Sequence, residues 1–334
     1  MRSRAPKPQP IQHAAERHVE APTLAAVVRE QTGLPWSRAR AMCFDGRVML
    51  DGIRCIDPAA RVAAGSEVVV DERARRMRAG PLPESAIVLA DRDVVVVDKP
   101  PGMLCAPDEP GAKGTLADHA RTMLRALGRG ADAALSVVHR LDRDTSGLVV
   151  LARNAAAKRH LAAQFRAHTI ERVYLAVAHG DVRAARVDSM LLPDRGDGLR
   201  GSHGHFRRAR GDAPPVAKRA VTNVVPVASL AGATLVECRL GTGRQHQIRI
   251  HLAELGHPLV GERVYVRDYQ GPRIEAPRTM LHARTLGFVH PRTGERILLD
   301  REPPEDFRAM VEALRQRAGP GMADPASVAA RPPP

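Results

Sequence analysis

At 334 residues, 44% hydrophobic and 26% charged, the chain is long enough for two soluble domains with an aliphatic core, and no run of about 18 apolar residues exists to span a membrane. A formal net charge of +14, carried almost wholly by arginine since only five of 51 basic residues are lysine, points to a polyanionic partner, nucleic acid before an anionic membrane. Cys43, Cys55, Cys105 and Cys238 form no C-x-x-C pair and sit at no zinc-ligand spacing, so reduced cysteines in a cytoplasmic protein are expected.

Residues 1–21 mix Arg, Lys, Pro, Gln and His without apolar periodicity or a signal-peptide core, as a disordered basic arm would. Residues 22–72 read as a small domain. Thr23 is placed to cap a helix with Leu24, Val27 and Val28 on one face, and Ser37 to cap a second helix that includes Arg38 and Arg40. Arg47–Leu50, a turn at Asp51-Gly52 and Ile53–Cys55 predict a hairpin, because Asp-Gly suits a two-residue turn. Gly65 then leads into the apolar run Val68–Val70. This order resembles the S-four-like class of small RNA-binding domains, which implies RNA contacts through Arg38, Arg40 and Arg47.

Residues 73–84 are charged, then rich in Pro and Gly, as a linker is. A larger domain is expected over 85–315, with 316–334 a disordered tail. Its β-branched runs Ile87–Leu89, Val94–Val97, Leu148–Leu151 and Val173–Val177 are interrupted by helical patterns at 116–127 and 155–167. That predicts an α+β fold with a large mixed or antiparallel sheet flanked by helices. Residues 194–216, rich in Arg, Gly, His and Pro, read as a basic insertion.

The chemistry centres on His139-Arg140-Leu141-Asp142-Arg143-Asp144-Thr145-Ser146-Gly147, a polar segment leading into a buried strand. Loops fixed by a sheet commonly carry reacting groups. Taken alone, however, a structural ion pair explains Asp142 better than catalysis does. The wider pattern decides: this segment closely resembles the H-R-L-D-x-x-T-S-G signature of RluA-type pseudouridine synthases. Asp98-Lys99-Pro100-Pro101-Gly102, Arg172-Val173-Tyr174-Leu175-Ala176, Thr242-Gly243-Arg244-Gln245-His246-Gln247-Ile248-Arg249-Ile250-His251, His257–Gly261, Leu281-His282-Ala283 and His290-Pro291 resemble its other blocks in order, over roughly 85–308. Gly261-Glu262-Arg263-Val264-Tyr265-Val266 departs from the family's G-D-x-x-Y-G but keeps a carboxylate.

The resemblance implies that Asp142 is the catalytic carboxylate, that Tyr174 stacks on the flipped base or assists proton removal, and that Arg249 pairs with Asp142. Arg140 would lever the base out, and Arg244 and His246 would bind substrate or support the site. Without it, Tyr174 reads as an amphipathic core residue and Arg249, in the alternating stretch Ile248–Leu252, as a surface arginine. The implied reaction isomerises uridine in structured RNA without cofactor or metal, by a cytoplasmic, non-membrane protein expected to be a monomer. Large-subunit rRNA is the preferred substrate and tRNA the runner-up. The rival readings are a non-catalytic ribosome-assembly factor on the same fold and a glycosidase releasing free uracil. His251, Glu254 and His257 are spaced like metal ligands but do not share one helix face, and Asp142 and Asp144 need not converge.

Overall fold

A computed structural model describes residues 21–74, 81–107, 113–129, 135–196, 199–205 and 211–318. Nearly all of the expected terminal arm and tail lie outside these residues, as do parts of the 73–84 and 194–216 segments. The chain divides into two compact units, Met1–Arg76 and Met77–Pro334.

In the first unit, α1 (Leu24–Thr32) begins where the Thr23 hydroxyl accepts the Ala26 N–H at 3.2 Å and ends at Gly33, whose φ of 68° lets its N–H reach Arg29 O. α2 (Trp36–Phe44) starts two residues earlier than a Ser37 cap would place it, with Pro35 at the cap position, since proline's fixed φ suits a helix entry. β1 (Val48–Leu50), β2 (Ile53–Arg54) and β3 (Val68–Val70) form an antiparallel sheet ordered β2-β1-β3. The hairpin turn is the one the sequence asks for: Asp51 and Gly52 both take positive φ, 51° and 74°. Leu24, Val28, Met42, Cys43, Val48 and Cys55 form the buried core between helices and sheet.

The second unit is built on one large sheet. Its elements are β4 (Ile87–Ala90), β5 (Val94–Lys99), α3 (Leu116–Ala126), β6 (Ser136–Val137), β7 (Ser146–Ala152), α4 (Ala155–Ala167), β8 (Glu171–His179), β9 (Ala185–Leu192), β10 (Gly201–Ser202), β11 (Lys218–Leu230), β12 (Ala233–Leu240), α5 (Gln247–Glu254), β13 (Leu281–Val289), β14 (Arg296–Asp300) and α6 (Glu305–Ala318). The spatial order is β10-β9-β11-β12-β8-β13-β7-β5-β4, with β14 added to β13 and β6 to β7. Among the described strands every pairing is antiparallel except β13 with β7. The mixed, helix-flanked sheet is the expected α+β class. Part of the 194–216 segment supplies β10, and the long hairpin β11–β12 was not anticipated by its β-branched residues. No described helix is long and apolar enough to cross a membrane.

Alternation along β8 divides the core. Tyr174, Ala176 and Ala178 pack on one face with α3, Ile248 and Leu252, while Leu175 and Val177 pack on the other with Phe307 and Val311 of α6. Both faces are buried, so the strand reads as continuously apolar. α5 corrects an expectation: Ile248–Leu252 is a helix, not an alternating strand, and Gln247 through Leu252 are all buried. When every side of a short element is enclosed, polarity no longer reports its period.

Central to the second unit is the parallel contact that seats the start of β7 against β13, His282 beside Ser146 and Ala283 beside Gly147. Gly147 takes φ 112°, and a Cβ there would run into the Ala283 backbone. Gly102 shares a positive φ, 81°, but faces open space. Gly147→Ala is therefore expected to cost about 3 kcal/mol or more, by strain plus displaced backbone, against about 1–2 kcal/mol for Gly102→Ala. Urea denaturation of the two variants checks this; equal losses would contradict the close approach.

Candidate active site

Asp142 sits in the connection between β6 and β7, and hydrogen bonds hold the backbone on either side of it. The Lys99 ammonium, completely buried at the end of β5, donates to the carbonyls of Pro100 (3.0 Å), Met103 (3.0 Å) and Arg143 (2.8 Å). Burial pushes its pKa down to about 8, and these oxygens are its compensation. Leu141 N–H donates to Cys105 Sγ at 3.3 Å, and Thr145 N–H returns to Asp142 O at 3.2 Å. Arg278 Nη1 donates to Asp144 O at 2.9 Å while its other nitrogens hold Asp306 of α6. Strand, loop and C-terminal helix thus fix the residues around one carboxylate.

The Asp142 carboxylate emerges into an open cleft of about 360 Å³ lined by Arg140, Tyr174, Arg244, His246, Gln247 and Arg249, among others. All six residues singled out in this domain therefore converge. Arg143, although adjacent in sequence, turns to donate to Gly102 O at 3.1 Å. The basic groups that approach Asp142 come instead from the α5 region: Arg249 Nη1 lies 3.7 Å from Oδ2, and His246 Nε2 lies 3.9 Å from Oδ1.

Arg249 is itself gripped from behind. Nε and Nη2 donate to the two oxygens of Glu262 at 2.7 and 2.8 Å, a bidentate pair within the protein. Glu262 Oε1 also accepts backbone N–H bonds from Arg263 (3.1 Å) and Val264 (2.9 Å). Burial alone would raise the Glu262 pKa, but the Arg249 charge and these bonds hold it at about 2. The guanidinium carbon lies 5.3 Å from the Tyr265 ring centre, and the Tyr265 hydroxyl pairs with His246 Nδ1 at 2.8 Å. The turn carrying Arg244 and His246 is pinned by Gln247, whose Oε1 accepts from Arg244 N–H (3.0 Å) and Thr242 Oγ1 (2.8 Å). His246 takes a left-handed φ of 59°, which sets its ring toward the cleft mouth from the N-terminal end of α5.

Tyr174 forms the floor. Its phenol is pushed up to about 12, first by burial and further by the Asp142 charge, against an opposing pull from Arg172, so it stays neutral in neutral solution. The residues spaced like metal ligands are otherwise engaged: His251 with Thr222 and Ser189, Glu254 with Ser202, and His257 with the His179 carbonyl. In the first unit Arg38 and Arg40 are exposed, Arg40 lying over Phe44, while Arg47 donates to Glu72 O.

Lys99, Cys105, Gln247, Glu262 and Arg278 were not singled out as site residues. Lys99, after four valines and Asp98, and Glu262, at a departure from the family pattern, were the local signals among them. The others became meaningful only when their partners, distant in sequence, came into reach.

The depressed Glu262 pKa contributes stability that is present above the ordinary glutamate range and lost as pH falls toward about 2. Glu262→Gln is expected to destabilise by about 3 kcal/mol at neutral pH, because Arg249 keeps its charge in a buried place. The gap to wild type should shrink as pH falls through that window. Urea denaturation at a series of pH values checks both; parallel pH profiles would contradict the ion pair.

Residues 93–254 match the RNA pseudouridylate synthase family. Ribosomal large subunit pseudouridine synthase D of Zymomonas mobilis is 37% identical over 238 residues, covering 68% of this chain and 72% of that protein. The Bacillus subtilis protein named uncharacterized RNA pseudouridine synthase YlyB is 34% identical over 292 residues, covering 84% of this chain and 90% of that one. Among solved structures, human RNA Pseudouridylate Synthase Domain Containing 4 shares the fold, with a TM-score of 0.55 at 24% identity over 69% of this chain and 93% of that chain. Relatives alike over most of both lengths, and motifs that converge on one carboxylate, agree: the chain belongs to the RluA-type RNA pseudouridine synthases.

Proposed function

We propose that this enzyme isomerises specific uridines in large-subunit rRNA, with Asp142 as the catalytic carboxylate. The observation that carries the site assignment is the Arg249 guanidinium, held bidentate by Glu262 and reaching to 3.7 Å from Asp142. It keeps one carboxylate oriented at the floor of an open cleft. The relatives named for the large ribosomal subunit support the substrate.

The reaction breaks the bond from the anomeric carbon to uracil N1. Asp142 either attacks that carbon or removes a neighbouring sugar proton. The released uracil turns within the cleft, its C5 bonds to the anomeric carbon, the C5 proton leaves and N1 gains one. No atom is added or lost, so one positioned carboxylate suffices where most glycosidases use a pair. Neutral Tyr174 offers the base a flat face and a hydroxyl. Exposed Arg140, at the cleft mouth, takes the place vacated by the extruded base. Base extrusion costs a few kcal/mol, which stacking and phosphate contacts must offset. His246 and Arg244 line the entry. The 22–72 unit adds a second RNA grip through Arg38, Arg40 and Arg47, raising the local concentration of RNA at the cleft. The enzyme acts as a cytoplasmic monomer.

Asp142→Asn is expected to lower single-turnover pseudouridine formation by about 10⁴-fold or more while leaving RNA affinity within about twofold. Pseudouridine mapping of total RNA from cells with the intact gene, a deletion and Asp142→Asn then names the substrate. Loss of the same large-subunit rRNA sites from both mutants is the expected result. Lost sites in tRNA would overturn the substrate, release of free uracil the reaction, and an unchanged map in Asp142→Asn the catalytic assignment.

A further inference from the structure

Arg172 lies near the start of β8, two residues before Tyr174, so both side chains leave the same face of the strand. Only 8% of the residue is exposed, and its Nε and Nη2 are buried without a hydrogen-bond partner. No ion pair to Arg172 occurs among the described residues. Its neighbours are the Phe165 ring, 5.8 Å from the guanidinium carbon, and the backbone of Gly243. A buried cation left in this condition is costly unless something else supplies the anion.

Gly243 shows where the side chain leads. Its φ lies outside the left-handed region, so the backbone there does not require glycine. The space is taken by Arg172: a Cβ at 243 would meet Nη1, and the flexible tip of the arginine would have to move aside. Gly243 is itself exposed, so its missing side chain leaves an opening through which the arginine tip approaches the surface. The next residue, Arg244, lines the cleft, and its side chain donates from Nε to the Arg219 carbonyl at 3.0 Å. Exposed His168, at the left-handed end of α4, lies within the field of both arginines. Burial lowers the basicity of Arg172, Tyr174 opposes it and Arg244 lowers it further; burial, Arg244 and Arg172 lower that of His168. Like charges converge here, and among the described residues no ion pair joins either arginine to a carboxylate.

We propose that Arg172, reaching through the opening at Gly243, and Arg244 form a phosphodiester-binding site at the rim of the cleft. The planar guanidinium fork matches phosphate oxygens in pairs, as an ammonium does not. Tyr174 is two residues along the strand, about 7 Å away, so the gripped phosphate belongs to the RNA backbone beside the target uridine. This rests on the reading of the cleft as the uridine site, and it adds the group that holds the flanking chain while the base is turned.

The test is the affinity of full-length wild type, Arg172→Gln and Gly243→Ala for a large-subunit rRNA transcript across a series of KCl concentrations, with thermal unfolding of each free protein. Arg172→Gln should bind several-fold more weakly at low salt. Its slope of log affinity against log salt should be shallower by about 0.7–0.9, one phosphate contact. Its melting temperature should not fall, because the free protein loses an unpaired buried charge. Gly243→Ala, with the charge retained but its tip displaced, should show the same loss of affinity. Unchanged slope and affinity in both variants, or a misfolded Arg172→Gln beside a Gly243→Ala that binds normally, would overturn the proposal and leave Arg172 a packing residue. If wild type binds tRNA and not this transcript, the rRNA reading fails by itself, and the same change of slope is then required on tRNA.

Discussion

The guanidinium of Arg249 joins the two halves of the site. On one side Glu262, buried and held ionised, grips it at 2.7 and 2.8 Å; on the other, Asp142 lies at 3.7 Å. A charge taken out of water in this way is tolerated only because both neighbours are anionic and the backbone supplies further donors to Glu262. The arrangement gives Asp142 a fixed counter-charge and leaves the carboxylate open to the cleft. For the catalytic role proposed for Asp142, a held orientation matters more than a tighter ion pair, since its oxygens would have to remain available to the sugar.

The sheet makes this possible by bringing three distant stretches to one place. The parallel contact between β7 and β13 aims the 139–147 segment over the centre of the sheet, and Gly147 allows the close approach. β8 lies next to β13 and places Tyr174 beneath the cleft. α5 follows β12 and carries Arg249 across the same face, its buried sides packed against β11 and the cluster around Leu252. Lys99 then replaces the water that the carbonyls around residues 100–103 and 143 would otherwise bind. A lysine whose ammonium is consumed by three backbone oxygens acts as part of the scaffold, since none of its donors is left for substrate.

Much of the candidate site was legible in the sequence, for a particular reason. Asp142, Tyr174 and Arg249 lie in short, unbroken motifs that resemble those of the family. The alternation of β8 sets Tyr174 on the face opposite Leu175 and Val177. What failed was reading local period where burial is complete: Ile248–Leu252 looks like a strand and is a helix enclosed on every side. Glu262 showed only as a departure from the family pattern, because its meaning depends on Arg249, thirteen residues away in sequence. Arg172 and Gly243 looked like routine members of their motifs until the missing Cβ and the unpartnered guanidinium were seen together. Ser37 lost its expected capping position to Pro35, a local competition that propensity alone did not resolve.

The proposed site depends on Glu262 acting through Arg249 to orient Asp142. The direct measurement is single-turnover pseudouridine formation by Glu262→Gln on a large-subunit rRNA transcript, with RNA affinity measured on the same protein at a temperature where the variant is folded. The account predicts a rate lowered by about 100-fold, the scale of a catalytic group displaced by about 1 Å, with affinity unchanged. A rate equal to wild type in a folded variant would contradict it, and would mean that Asp142 needs no such support.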